Sequence, residues 1–258
     1  MPLPYTPRVP GFPLSLVAIS LAFACCTDES AAHRDVGRAW ARRGDHGRAI
    51  REYRLALRKD PDDAAVLTLL ANSEFEVDRL GDAERHFRDA IRIEPDLSDA
   101  HFGLGMLLVR RGQRREATGA LEFVLGQNPM DLTVLLNLGR IYIAEHDLVR
   151  ARQRLEAALH VDDENVDAIF NLGLLAIQER KLDEAAGRFR ALGKLAPREP
   201  YGTYGLAAVA AQRGQTAESL RLLRTAIGLG IEDRAAIGRD EAFAPLAGDP
   251  DFQALLRR

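Results

Sequence analysis

Lysine is almost missing from this chain: only Lys59, Lys181 and Lys194 stand among 35 basic residues, and the other 32 are arginines. The 38 acidic residues outnumber them for a net charge of −3, so no global positive field draws the protein onto nucleic acid. Aromatics make up 6% of the chain, so a core must be built from Ala and Leu, which favours helices over a β-sandwich. Cysteine occurs twice, as the neighbours Cys25 and Cys26. Adjacent residues rarely bridge each other and neither has a distant partner, which excludes a disulfide framework and a cysteine-based tetrahedral zinc site. Six histidines are present without ligand or catalytic spacing; His33 and His101 read as core histidines, the others as single residues on turns or outer helices. No HExxH, no glycine-rich phosphate loop and no Ser or Cys nucleophile motif occurs. Asp162-Asp163-Glu164 lacks the alternating ligands of a calcium loop and reads as a turn. The expectation is a protein with no catalytic residue, no cofactor and no metal. What the chain does have is globular composition, 47% hydrophobic and 28% charged.

Long hydrophobic runs are equally scarce. The one near the N-terminus, Leu14 to Ala24 (LSLVAISLAFA), is 11 residues, too short to span a membrane and the right length for the apolar part of an export signal. Arg8 is the only charged side chain before it. Two readings of its end stay open. Ala22-Phe23-Ala24 fits small-x-small cleavage of an ordinary signal, giving a soluble periplasmic protein. Ala24-Cys25 resembles a bacterial lipobox, with Cys25 as the lipidated residue; Ala22 stands where a lipobox usually carries Leu. Residues 1–24 are thus expected to be a signal peptide and 25–29 a lipidated linker holding the protein to a membrane.

The remainder repeats itself. Pro61, Pro95 and Pro129 are spaced by 34 residues, and two further steps reach Pro197. Six gapless windows follow, 30–63, 64–97, 98–131, 132–165, 166–199 and 200–233. Their seventh positions read Val36, Leu70, Leu104, Leu138, Leu172 and Leu206; the eighth are Gly37, Ala71, Gly105, Gly139, Gly173 and Ala207. The twentieth are Ala49, Ala83, Ala117, Ala151, Ala185 and Ser219, and the twenty-fourth Tyr53, Phe87, Leu121, Leu155, Phe189 and Leu223. Small residues at positions eight and twenty let two helix backbones approach, large ones at seven and twenty-four fill the space beside them, and the proline ends the second helix. The pattern departs at Asp163 and Ile231, which replace the proline, and at Glu74, where an aromatic is wanted.

This pattern resembles the tetratricopeptide repeat. The resemblance implies an all-α, right-handed solenoid of six helix-turn-helix repeats, stable only through stacking. Residues 234–258 read as its cap: Asp249-Pro250 suits a helix start, and Phe243, Leu246, Phe252, Leu255 and Leu256 would cover the sixth repeat.

In that family the first helices line a groove for partners. By resemblance, the groove side chains here are Phe102, Met106, Val109, Leu136, Ile143, Phe170, Leu174, Ile177, Tyr201 and Tyr204. Phe170 and Leu174 sit at the centre, with neither needed for helix packing. Asn137 and Asn171 resemble the asparagines that hold peptide backbone in some members. A carboxylate clamp is not expected, because Phe102 and Met106 stand where it needs basic residues. Arg34, Arg38 and Arg42 recur every four residues and form a basic mouth on the first repeat, either simply solvated or facing phospholipid or an acidic partner. The expected function is a non-enzymatic adaptor of the bacterial envelope, binding a protein or peptide, similar in architecture to lipoproteins of type IV pilus and secretin assembly. The alternative is a chaperone or carrier of apolar ligands or exported chains.

Overall fold

The computed structural model describes residues 29–257, so the signal, the linker before Glu29 and Cys25 lie outside the described residues. Helices alternate with short turns throughout, and no strand occurs among the described residues. The first repeat holds α1 (Glu29–Arg42) and α2 (His46–Lys59), the second α3 (Ala64–Glu76) and α4 (Leu80–Ile93). The third holds α5 (Ser98–Arg110) and α6 (Arg114–Gln127), the fourth α7 (Leu132–Ala144) and α8 (Leu148–Val161). The fifth holds α9 (Val166–Gln178) and α10 (Leu182–Leu195), the sixth α11 (Tyr201–Gln212) and α12 (Thr216–Gly228). After them come α13 (Arg234–Arg239), a 3-10 turn (Glu241–Leu246) and α14 (Pro250–Leu256). Two compact units are present, one ending at Leu107 and one beginning at Leu108, with the boundary inside α5.

The helix boundaries follow from two repeated cap positions. Asp45 and Asp147, at position 16, accept from Arg48 N and Arg150 N; Asp63, Asp131 and Asn165, at position 34, accept from the backbone N three residues on. Each such cap is worth about 1 kcal/mol to its helix. The turn between the two helices of every repeat needs left-handed backbone at position 15. Gly44, Gly112 and Gly214 supply it at φ 77, 74 and 71°, while Asp78, His146 and Arg180 adopt it at 62, 57 and 61°. A side chain in this conformation costs on the order of 1–2 kcal/mol, with Asp and His tolerated better than Arg.

In repeats one, four and five the eighth residue lies against the twenty-fourth. A Cβ on Gly37 would sit 2.5 Å from the Tyr53 ring, one on Gly139 2.6 Å from Leu155, and one on Gly173 2.5 Å from the Phe189 ring. The glycines are therefore seats for particular side chains, a closer role than backbone spacing alone. Ser219, at position 20 of the sixth repeat, is fully buried and donates its hydroxyl to the Ala207 carbonyl at 2.8 Å. Val36, expected as filler at position seven, is instead 45% exposed, because no helix precedes α1 among the described residues to cover it.

The first unit buries Ala49, Ile50 and Tyr53 against Val66 and Leu70, and Ala64 and Leu67 against Ala90 and Ala100. In the second unit a single apolar cluster runs from Ala176 to Phe252. Phe243, Leu246 and Phe252 are each at most 2% exposed and share that cluster with Leu220 and Leu223, while Leu255 and Leu256 pack on it partly buried. Asp249 caps α14 from Asp251 N and Phe252 N, with Pro250 in its first turn.

Candidate binding recess on the second unit

The residues singled out from sequence divide between the units. Phe102, Met106 and the basic Arg34, Arg38 and Arg42 belong to the first, with Phe102 and Met106 half-buried; the other groove residues lie in the second. There, α7, α9 and α11 bring Ile143, Leu174 and Ile177 together as the floor of a recess of about 490 Å³, and Ala242 and Pro245 of the 3-10 turn close one side. Ile177 is only 7% exposed and joins the core cluster, so it forms the base of the recess more than its surface.

Polar side chains ring this floor. His146, Arg180, Gln212, Asp240 and Glu241 all line it. The first two are position 15 residues, held in left-handed backbone where three sister repeats use glycine. Their strain is retained at the edge of a cavity, the place where strained residues tend to carry function. This pair escaped the sequence reading, although position 15 read down the repeats (Gly44, Asp78, Gly112, His146, Arg180, Gly214) holds the signal.

A hydrogen-bonded chain fixes the wall. Arg180 Nη1 donates to Gln212 Oε1 at 3.3 Å, Gln212 Nε2 donates to the Ala242 carbonyl at 2.8 Å, and Asp240 caps the 3-10 turn through Ala242 N. Tyr204, expected on the groove, donates its hydroxyl to Asp240 Oδ2 at 2.6 Å and sets its ring edge-on to Phe243 at 5.3 Å. Burial first, and the Asp240 carboxylate second, push its phenol far above the ordinary tyrosine range, so Tyr204 stays a protonated donor.

Phe170 requires a correction. The expectation gave it no part in helix packing, yet its ring centroid lies 5.8 Å from that of Phe189, 5.5 Å from Tyr201 and 6.5 Å from Tyr204. Aromatic pairs at these separations attract, so Phe170 supports the α9–α11 contact. Leu174 is half-buried, packs on the core and reaches the recess, and Leu136 is half-buried on α7. Asn137 and Asn171 are buried at 5% and 8%, and each donates Nδ2 to the carbonyl one turn back, at Thr133 (2.8 Å) and Asp167 (2.7 Å). Asn137 also accepts from Arg140 Nη2 at 2.7 Å. The basic mouth is partly neutralised: Asp35 lies 3.6 Å from Arg34 and 3.8 Å from Arg38. His33 and His101 are not core histidines. His33 Nδ1 meets Glu52 at 2.7 Å with its side chain 34% exposed, and half-buried His101 bonds the Pro95 carbonyl.

Among the described residues no group of three or more His, Cys, Asp or Glu side chains is placed to hold a metal ion, and no helix is long and apolar enough to cross a membrane. A helix-pair repeat stacked on itself, with a recess on its first helices, defines a class of interaction scaffolds. Sequence signatures of the tetratricopeptide repeat match residues 27–64 and 68–113 in one form and 108–173 and 142–206 in another. The chain belongs to the tetratricopeptide repeat family, and its fold is the all-α solenoid of that family. It is 28% identical over 161 residues to Protein O-mannosyl-transferase Tmtc3 of Drosophila melanogaster, a match covering 61% of this chain and 17% of that protein. A tetratricopeptide repeat protein from Parabacteroides merdae shares the fold at TM-score 0.73 and 18% identity, over 89% of this chain and 98% of that one. PilW, a widely conserved type IV pilus biogenesis factor, does so at TM-score 0.66 and 16% identity, over 88% and 98%. At these identities the two solved structures speak for the fold alone.

Proposed function

We propose that this protein is a non-enzymatic adaptor whose second unit captures an extended segment of a partner protein, seating one bulky apolar side chain in the recess over Ile143, Leu174 and Ile177. One observation carries the reading: two non-glycine residues, His146 and Arg180, bear left-handed strain at the recess edge and keep their side chains on it. A partner backbone entering there meets the side chains of His146, Arg180, Asp240 and Glu241. The apolar floor supplies affinity and the polar rim sets orientation. Tetratricopeptide repeats serve as scaffolds for protein and peptide partners. The apolar run ending at Ala24 supports a place in the bacterial envelope, with attachment through a lipid on Cys25.

The test is selection of peptides from a random library on the full chain. Selected peptides are expected to share one bulky apolar residue. Leu174→Glu should weaken them by at least ten-fold, as expected for a central anchor, with helical circular dichroism unchanged. Equal binding by Leu174→Glu places the contact on another face.

A further inference from the structure

We infer that the first unit carries a second site, a pocket for a small oxyanion borne on an apolar stem, between the second helices of repeats one and two. It is built from other residues than the recess and stands or falls separately from the adaptor reading.

Its origin lies at position 11. In the fourth repeat that slot holds Tyr142, 1% exposed, whose hydroxyl donates to Glu122 Oε1 at 2.8 Å while Arg154 Nη2 donates to the same carboxylate at 2.9 Å. The equivalent slot in the second repeat holds Glu74, which is wholly buried. Its partners suit it. Where the third repeat supplies Glu122 the first supplies Arg54, whose Nη2 donates to Glu74 Oε1 at 3.0 Å. Where the fourth holds Arg154 the second holds His86, whose Nδ1 meets Oε2 at 2.7 Å. A carboxylate thus takes the place of a phenol ring, and beside it α2, α3 and α4 leave a shallow, open recess of about 420 Å³.

The lining selects the ligand. Arg54, Arg58 and Arg85 present N–H donors with the His86 ring beside them, and Leu57 and Leu70 present apolar wall. Arg54 and Arg58 lie four residues apart on one face of α2, a like-charge spacing that weakens an isolated helix. Arg85 is occupied by Asp82 at 2.9 Å, and Arg54 spends one nitrogen on Glu74; Arg58 has no carboxylate partner among the described residues. Glu74 is the anchor that holds Arg54 in place, so the remaining donors of that guanidinium are preorganised. A carboxylate or phosphate reaching Arg58 and the open edge of Arg54 would relieve the like-charge spacing, with its stem against Leu57 and Leu70. Guanidinium groups match both oxyanions by paired N–H donors.

The probes are hexanoate, hexyl phosphate and inorganic phosphate, titrated into the full chain with the His86 ring and arginine Nε–H resonances followed by NMR. Saturable binding of hexanoate or hexyl phosphate, with shifts confined to Arg54, Arg58, Arg85 and His86, supports the site; the tighter of the two identifies the headgroup. Arg58→Gln should cost at least ten-fold in affinity, and Arg58→Ala should act likewise if the first variant folds poorly. Arg92→Gln, on an exposed arginine of α4 outside the pocket, should leave affinity unchanged. Inorganic phosphate binding as tightly as hexyl phosphate overturns the apolar-stem assignment. Absence of saturation for both stemmed anions, or undiminished binding by Arg58→Gln, overturns the site.

Discussion

Phe189 shows how much one residue depends on what its neighbours lack. Its ring lies against Gly173 of its own repeat, and Gly205 of the next repeat contacts it too, in a space that a Cβ at either position would invade. The first glycine was legible as a seat for a large residue, since it recurs every 34 residues; the second was not, because Asn137 and Asn171 hold the same position in other repeats. Arg180 is the opposite case, a side chain kept where glycine would fit more easily. Arg180→Gly should therefore raise stability by about 1 kcal/mol in chemical denaturation, through release of left-handed strain. The same change should weaken the peptides selected on the recess. A stability gain with no loss of binding would mean that the strain serves no contact there.

At the scale of the helix, neighbouring pairs within each unit are joined by apolar rows that the sequence announces and by polar locks that it conceals. The departure of Glu74 from the aromatic pattern was visible; that Arg54 and His86 close on it was not, because those residues lie 20 and 12 positions away in sequence. The role of Phe170 was misjudged for a similar reason, since its partners Phe189, Tyr201 and Tyr204 come from two other helices. Tyrosines add a pH signature. Burial is the first cause that raises the phenols of Tyr53, Tyr142 and Tyr204 above the ordinary value of 10.0. A group whose folded pKa is raised keeps its proton longer in the folded state, so the tyrosines' contribution to stability is complete below pH ~10 and falls as pH rises beyond it. Thermal melts should stay level up to about that pH and then decline. Tyr204→Phe should lower the plateau by about 1 kcal/mol, through loss of the bond to Asp240, and make the alkaline decline shallower. A decline of the same steepness in that variant would assign it to the other tyrosines.

For the whole molecule, the period of 34 residues made the fold class legible from end to end, because every repeat solves the same packing problem with the same residue types. The recess was only partly legible. Ile143, Leu174 and Ile177 follow from first-helix positions, but its fourth wall comes from residues 240–245, whose 3-10 turn breaks the repeat and has no periodic signature. The proposed export and anchoring rest on Leu14 to Ala24 and Cys25. Globomycin should cause precursor to accumulate in a bacterial host, and Cys25→Ser should move the protein from the membrane to the soluble fraction; unchanged partitioning of that variant would rule out acylation at this cysteine. The most direct measurement for the account is site-specific photo-crosslinking in living cells from Gln178, on the recess, and from Val149, 70% exposed on α8. Capture by the recess predicts one dominant protein adduct from Gln178, lost when Leu174→Glu is added, and none of that mass from Val149. Adducts of the same mass and yield from both positions, undiminished by Leu174→Glu, would contradict it.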